Sequence, residues 1–200
     1  NDGTDRIVNV ELLEFADQTV SAPVTGAVSS SAVPYSALPG PNNILPPAVS
    51  VSGTLEGYEN VNGTSGADVL SSGGGYLDTL IGGGGADSYV IESSSTRIKE
   101  YYNGGNDTVN SYASTLTTSA NVETVYMVYG ALELTGSGHA NTIYGNKHDN
   151  TINGRNGNDI IAGFEGDDTL NGGGGTDTAV FQGDLADFDI TWLGGTELDV

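Results

Sequence analysis

Apolar residues along this chain come singly and at a fixed spacing, not in the stripes of an amphipathic helix. From Gly136 to Val180 the residues Ile143, Ile152, Ile161, Leu170 and Ala179 recur every nine positions, each between polar or small neighbours, as in Thr169-Leu170-Asn171. Polar–apolar–polar alternation over three residues predicts a very short strand with one inward side chain. The six residues before each strand are turn chemistry. Gly136, Gly145, Gly154, Gly163 and Gly172 open the blocks, and Asn141, Asn150, Asp159, Asp168 and Asp177 close the turns with a side-chain oxygen. Two units therefore make a coil of roughly eighteen residues, strand–turn–strand–turn, around a thin apolar interior. The predicted fold is all-β, a right-handed parallel solenoid.

The same period organises residues 52–90. Gly63 to Ser71, Gly73 to Ile81 and Gly82 to Val90 are three more blocks, interrupted only by Ser72. Their acids are Asp68, Asp78 and Asp87 and their inward residues Leu70, Leu80 and Tyr89, with Tyr76 standing where a turn Gly is expected. Blocks two apart share a side of the coil, so Asp68 is expected beside Asp87, Asp159 beside Asp177, and Asn150 beside Asp168. Residues 91–135 lose the nine-residue period and read as wider β coils, with strands around Ile98, Val109, Val125 and Leu134. After the second block (136–180), residues 181–200 bring Phe181, Phe188, Ile190, Trp192 and Leu198, which predict antiparallel strands capping the roll. Residues 1–20 alternate at Val8, Val10 and Leu12 and read as the end of an upstream β module. Residues 21–51 carry all six prolines among Ser, Ala and Val, the composition of an extended linker. The chain thus reads as a piece of a tandem array.

Charge sharpens this picture. The 200 residues hold 26 acidic and 5 basic groups, a formal charge of −21. That excludes a nucleic-acid footprint, which needs a basic face, and argues against anionic membranes. No apolar run is long enough for a membrane-spanning helix. There is no Cys and so no disulfide staple. One inward residue in nine is a thin core to set against the entropy of ordering the unit, so a further stabilising term is required. The acids point to it. Stacked turns sit about 4.8 Å apart, and two carboxylates about 5 Å apart repel by roughly 3 kcal/mol at an effective dielectric of about 20. A hard cation reverses that sign, and carboxylates with bare Gly carbonyls form the all-oxygen shell that such a cation takes. Metal binding and folding then become one event.

The block Gly172 to Val180, GGGGTDTAV, resembles at every position the G-G-x-G-x-D-x-U-x nonapeptide of the RTX (repeats-in-toxin) family, a calcium-binding parallel β-roll. The resemblance implies several Ca2+ ions held between turns two repeats apart. Carried over residue by residue, it implies Gly154, Asn156 and Asp159 with Gly172, Gly174 and Asp177 on one side, and Asn150, Gly163, Glu165 and Asp168 on the other. In the first block it implies Asp68, Gly82, Gly84 and Asp87, with Asp78 on the opposite side. Asn141 and Asn150 depart from the pattern, and that end of the roll is expected to bind more weakly or not at all. Gly105 and Asp107 with Glu100 are a further candidate, an exposed acidic turn being the alternative.

The resemblance also implies a secreted or cell-surface protein exported by a type I secretion apparatus, unfolded inside the cell and folding where calcium is millimolar. A structural, assembly or adhesin module is the first expectation, and the non-catalytic folding module of a secreted enzyme or toxin the alternative. No enzyme is expected in these residues. His139 and His148 stand nine apart and face opposite sides, unlike a zinc-protease helix, and there is no G-x-S-x-G elbow or phosphate loop. Tyr101, Tyr102, Tyr126 and Tyr129 are expected to pack over the irregular coils. A glycan-binding surface or self-association is the alternative.

Overall fold

The computed structural model describes residues 5–10, 12–14, 19–21, 50–53, 57–182, 191–194 and 197–199. The expected linker falls almost wholly outside the described residues, as do Phe188 and Ile190. The chain begins with β1 (Arg6–Val8), β2 (Leu12–Glu14) and β3 (Thr19–Ser21), and the roll opens at β4 (Ser50–Ser52). The first block supplies β5 (Asn60–Asn62), β6 (Val69–Ser71), β7 (Thr79–Ile81) and β8 (Ser88–Ile91). The irregular stretch supplies β9 (Arg97–Lys99), β10 (Thr108–Ser111), β11 (Thr115–Thr117), β12 (Thr124–Met127) and β13 (Glu133–Thr135). The second block follows with β14 (Thr142–Asn146), β15 (Thr151–Asn156), β16 (Ile160–Phe164), β17 (Thr169–Gly174) and β18 (Thr178–Val180), and then come β19 (Thr191–Gly194) and β20 (Glu197–Asp199). Among the described residues there is no helix.

From β4 to β18 the chain winds as a parallel β-solenoid of about seven turns. Within the roll the even-numbered strands β4 to β18 stack in one ten-stranded sheet completed by β2 and β3, and the odd-numbered strands β5 to β17 face them in two sheets, β5-β7-β9 and β11-β13-β15-β17-β1-β20-β19. One inward residue per strand builds the interior. Leu70, Tyr89, Val109, Val125, Ile143, Ile161 and Ala179 stand in register on one wall. Val61, Leu80 and Ile98, then Leu116, Leu134, Ile152 and Leu170, stand on the other. All but the half-buried Ile98 are buried.

The irregular stretch keeps this register. Twenty residues separate Tyr89 from Val109, sixteen separate Val109 from Val125, and eighteen separate Val125 from Ile143. The coils are therefore no wider on average than those of the repeats. Their residues are shared differently between the turns, and that hides the period. The one break is on the odd wall between β9 and β11, where a groove of about 520 Å³ opens beside Ile98, Thr115 and Thr117.

Residues 1–20, expected to end an upstream module, have their described part in this roll. β1 pairs parallel with β17, placing Ile7 opposite Leu170, and β2 pairs parallel with β18, placing Leu13 opposite Ala179. Both Ile7 and Leu13 are buried, so the segment adds a coil to the second block. β20 then lies antiparallel to β1, and β19 antiparallel to β20.

Candidate metal centres

The winding gathers the turns along two edges. Turns leading from odd to even strands form the first edge, and the residues immediately before each even strand are Asp68, Asp87, Asp107, Glu123, Asn141, Asp159 and Asp177. The opposite turns form the second edge, with Glu59, Asp78, Thr96, Ser114, Leu132, Asn150, Asp168 and Asp5 at the matching places. The first edge is acidic almost throughout. The second is acidic only at its ends.

Most of these acids are oriented by the coil before them. The Asp87 Oδ1 accepts from the Asp68 backbone N–H at 2.8 Å, Asp107 Oδ1 from Asp87 at 2.8 Å, Asp159 Oδ1 from Asn141 at 2.7 Å, and Asp177 Oδ1 from Asp159 at 2.8 Å. On the second edge Asp78 Oδ1 accepts from Glu59 at 2.9 Å, Asp168 from Asn150 at 2.7 Å, and Asp5 from Asp168 at 2.8 Å. The expected neighbours are thus brought together: Asp68 with Asp87, Asp159 with Asp177, Asn150 with Asp168.

This bond uses one carboxylate oxygen. The other oxygen, Oδ2, is buried without a hydrogen-bond partner at Asp78, Asp87, Asp107 and Asp159. A buried anionic oxygen without a donor is costly. Burial accordingly pushes the Asp87, Asp107 and Asp159 carboxyls above their ordinary range, and the backbone N–H donors offset this only in part. First-position glycines make the room for these oxygens. A β-carbon on Gly154 would overlap Asp159 Oδ2, one on Gly163 would overlap Asp168 Oδ2, and one on Gly82 would overlap Asp87 Oδ2. A β-carbon on Gly172 would overlap the Asn9 carbonyl and crowd Asp177 Oδ2. Fourth-position glycines serve the backbone instead, since Gly157 and Gly175 hold φ of 131° and 142°.

The third-position residues lie further out. Asn156, Glu165 and Gly174 are exposed and Gly84 half-buried, and the Gly174 carbonyl accepts from Gly157 N–H at 2.9 Å. Three of the expected oxygen donors are engaged within the protein. Asp68 Oδ2 accepts from Thr64 N–H at 2.6 Å and from its hydroxyl at 2.9 Å. Asn141 donates to the Val122 carbonyl at 2.6 Å and accepts from Ser137 N–H at 2.8 Å. Asn150 donates to the Ala131 carbonyl at 3.2 Å and accepts from Asn146 N–H at 2.8 Å.

The family model described as the RTX calcium-binding nonapeptide repeat matches residues 62–90, 133–161 and 144–179, with four copies. The repeats of this chain are RTX calcium-binding nonapeptide repeats. No curated protein and no solved structure matches the chain. Read as RTX turns, the two edges fit the family's cation: the donors are oxygens only, and the buried Oδ2 atoms of Asp78, Asp87, Asp107 and Asp159 have no hydrogen-bond partner. Hard divalent cations bind such sets. The module is a calcium-binding structural one.

Beyond the matched segments the structure adds acids that the nine-residue register does not reach. Glu123 Oε2 accepts from Asp107 N–H at 2.8 Å, taking the place of a turn Asp. Asp5, 6% exposed, does the same at the far end of the second edge. The signal was present in both cases, since Glu123 precedes inward Val125 by two residues and Asp5 precedes Ile7 by two, as Asp177 precedes Ala179. Asp107 and Glu100 are buried, which removes the alternative of an exposed acidic turn.

The aromatic residues divide. Tyr126 stacks on Tyr144 with ring centroids 4.9 Å apart, whereas Tyr101, Tyr102 and Tyr129 are exposed. Tyr101 and Tyr102 lie on the first edge, Tyr129 on the second, and Tyr126 on the sheet between, so the four share no single face. His139 is exposed on the first edge, and half-buried His148 packs edge-on to Tyr129 on the second.

Proposed function

We propose that this chain is a calcium-dependent folding module of a larger secreted or cell-surface protein, with a structural, assembly or adhesin role. The observation that carries this reading is the line of buried carboxylate oxygens that no protein donor satisfies. Without a cation their desolvation and mutual repulsion oppose winding. With one, the same oxygens tie each turn to the turn two blocks away. Stability gained this way scales with ligand concentration over its dissociation constant, so the chain stays unwound where free calcium is low. Likeness to the RTX repeat family supports export through a type I apparatus, and the same coupling is consistent with folding outside the cell. The catalytic work of the whole protein, if it has any, is placed outside these residues, and service as the folding module of a secreted enzyme or toxin is the alternative role. Exposed Tyr101 and Tyr102 support a contact with a cell-surface glycan or a second copy.

The test is far-UV circular dichroism during a calcium titration of chelated protein, with magnesium as control. The expected result is a cooperative coil-to-β transition with calcium alone. A metal-free spectrum already rich in β structure and unmoved by calcium would overturn the reading and leave a constitutive solenoid spacer.

A further inference from the structure

Between the two repeat blocks the roll departs from its own rule. In the repeat blocks the first turn residue after an odd strand is a glycine, Gly63 after β5, Gly82 after β7 and Gly136 after β13, but between the blocks it is Glu100 after β9 and Thr118 after β11. The glycine is needed elsewhere because the turn's own carboxylate fills the space beside it. Here a third carboxylate is driven into that space. One oxygen from each of Asp87, Glu100 and Asp107 lies within 4.8 Å of the other two. Glu100 spans the pair. A β-carbon on Gly82 would overlap both Glu100 Oε1 and Asp87 Oδ2, while one on Gly104 would meet Glu100 Oε2 at 2.5 Å and Asp107 Oδ2 at 3.5 Å.

Two independent features point to a ligand. Asp87 and Asp107 are 2% and 1% exposed, and the Oδ2 of each, turned into the cluster, has no hydrogen-bond partner. The interior residue beneath is also unusual. Tyr89 takes an inward position held elsewhere by aliphatic residues, is fully buried, and donates its hydroxyl to Glu100 Oε1. A phenol is placed in the core to hold one oxygen of this carboxylate. Burial first, then the charges of Asp107, Asp87 and Glu123, push Glu100 up to about 7. The neighbouring charges that shift it are all negative.

We propose that Asp87, Glu100 and Asp107 form a three-carboxylate cation site, distinct from the glycine-opened turn sites of the repeats, that takes a hard divalent cation and binds calcium most tightly in this chain. The inference rests on the calcium-binding reading of the roll and adds to it. Ligand charge tunes calcium affinity, and three carboxylates converge here where a repeat site brings together the sixth-position acids of two turns. The place matters as well, because Asp107 opens the first coil without the repeat. A cation there joins the regular block to the coil that follows it.

The test is isothermal titration calorimetry of calcium into the full chain, comparing wild type with Glu100→Gln, which keeps shape and removes charge, and with Glu100→Gly, which restores the repeat's residue and keeps a foldable turn. Asp159→Ala serves as the control in the second block. The expected result is loss of the tightest binding step, or a tenfold or greater weakening of it, in both Glu100 variants. Asp159→Ala should spare that step and weaken a later one. If Glu100→Gln and Glu100→Gly titrate as wild type while Asp159→Ala is impaired, the three-carboxylate site is refuted and the repeat sites stand. If no protein binds calcium, the underlying reading fails with it. Crystals of the wild-type chain grown with terbium give a second reading that needs no variant. An anomalous peak among the three carboxylates is expected, and its absence in crystals showing terbium at the repeat turns would overturn the proposal.

Discussion

The second repeat block begins with turns that close themselves and continues with turns that do not. Asn141 and Asp159 stand at the same position of successive first-edge turns, opposite inward residues in the same register. The Asn141 amide supplies both a donor, spent on the Val122 carbonyl, and an acceptor for Ser137. Asp159 supplies acceptors only. One takes the Asn141 N–H and the other is left buried without a partner. The backbone is the same, and one atom, nitrogen for oxygen, decides whether the turn needs an ion. The second edge repeats the lesson along its length, with Thr96, Ser114, Leu132 and Asn150 through its middle and acids only at its ends. Along that edge the centre of the roll offers fewer acids to a cation than its flanks do.

Exchanging the two residues should break this division. Asp159→Ala removes a ligand oxygen and also leaves the Asn141 N–H without its acceptor, a loss of about 1–3 kcal/mol even before calcium is considered. The calcium midpoint of folding, followed by circular dichroism, should rise by roughly tenfold or more. Asn141→Asp runs the other way. It loses the donor to Val122 and adds a charge within one coil of Asp159, so the metal-free protein should unfold at lower urea while the calcium-loaded protein recovers most of the difference. An Asn141→Asp chain as stable as wild type without calcium would show that the amide is not what closes the turn.

Acid should blur the division, because protonation does to the carboxylates what the amide does to Asn141. Glu100 is raised from 4.5 to about 7 and Asp107 from 3.8 to about 6, burial being the first cause in each case. Asp87 and Asp159 move in the same direction. A raised folded-state value means that the folded chain holds the proton more tightly than the unfolded one. The stabilisation is fully present below about pH 4 and is lost as pH rises through 6 and 7. Metal-free protein should therefore gain β structure on titration from pH 8 to pH 5, and Glu100→Gln should flatten the upper part of that profile. Calcium affinity should fall over the same range as protons compete for the oxygens. A metal-free chain that loses structure on acidification would contradict the burial of these groups.

Much of this was legible because the physics is periodic. Asn and Asp at one register position, with an apolar residue two places on, fixed the turns, the inward residues and the pairing of blocks two apart. Legibility failed where the period slipped but the coil did not. Between Tyr89 and Val125 one coil takes twenty residues and the next sixteen, and a search in nines loses both. The acid-x-apolar step survives that slip, which is why Glu123 and Asp5 could have been found by it. For the described part of residues 1–20, a β segment was legible but not which roll it joins. Their alternation specifies a strand, but which strand it pairs with depends on contacts across more than 160 positions of sequence. Glu100 was legible as a candidate ligand beside Asp107 but not as a partner of Asp87, since only the stacked turns bring it against Gly82.

Where Asn141 closes its own turn without an ion, something besides a cation must hold the coils, and the outer face of the even sheet shows what. Tyr126 on β12 and Tyr144 on β14 flank the self-closing turn of Asn141, stacked at 4.9 Å and 13° between planes, and Tyr144 continues to Phe164 at 6.3 Å. Tyr144 and Phe164 are buried and Tyr126 half-buried. A stacked pair contributes about 0.5–1.5 kcal/mol beyond its buried area. Tyr126→Ala should accordingly lower stability by about that much plus the modest area lost, the smallest effect considered, while the number of calcium ions bound stays the same. The decisive readout is hydrogen exchange by strand in the calcium-loaded protein. Faster exchange confined to β12 and β14 would show that aromatic stacking secures the strands beside the self-closing Asn141 turn. Faster exchange spread evenly through β16 and β18 would show that the roll unwinds as one unit and that the centre has no separate support.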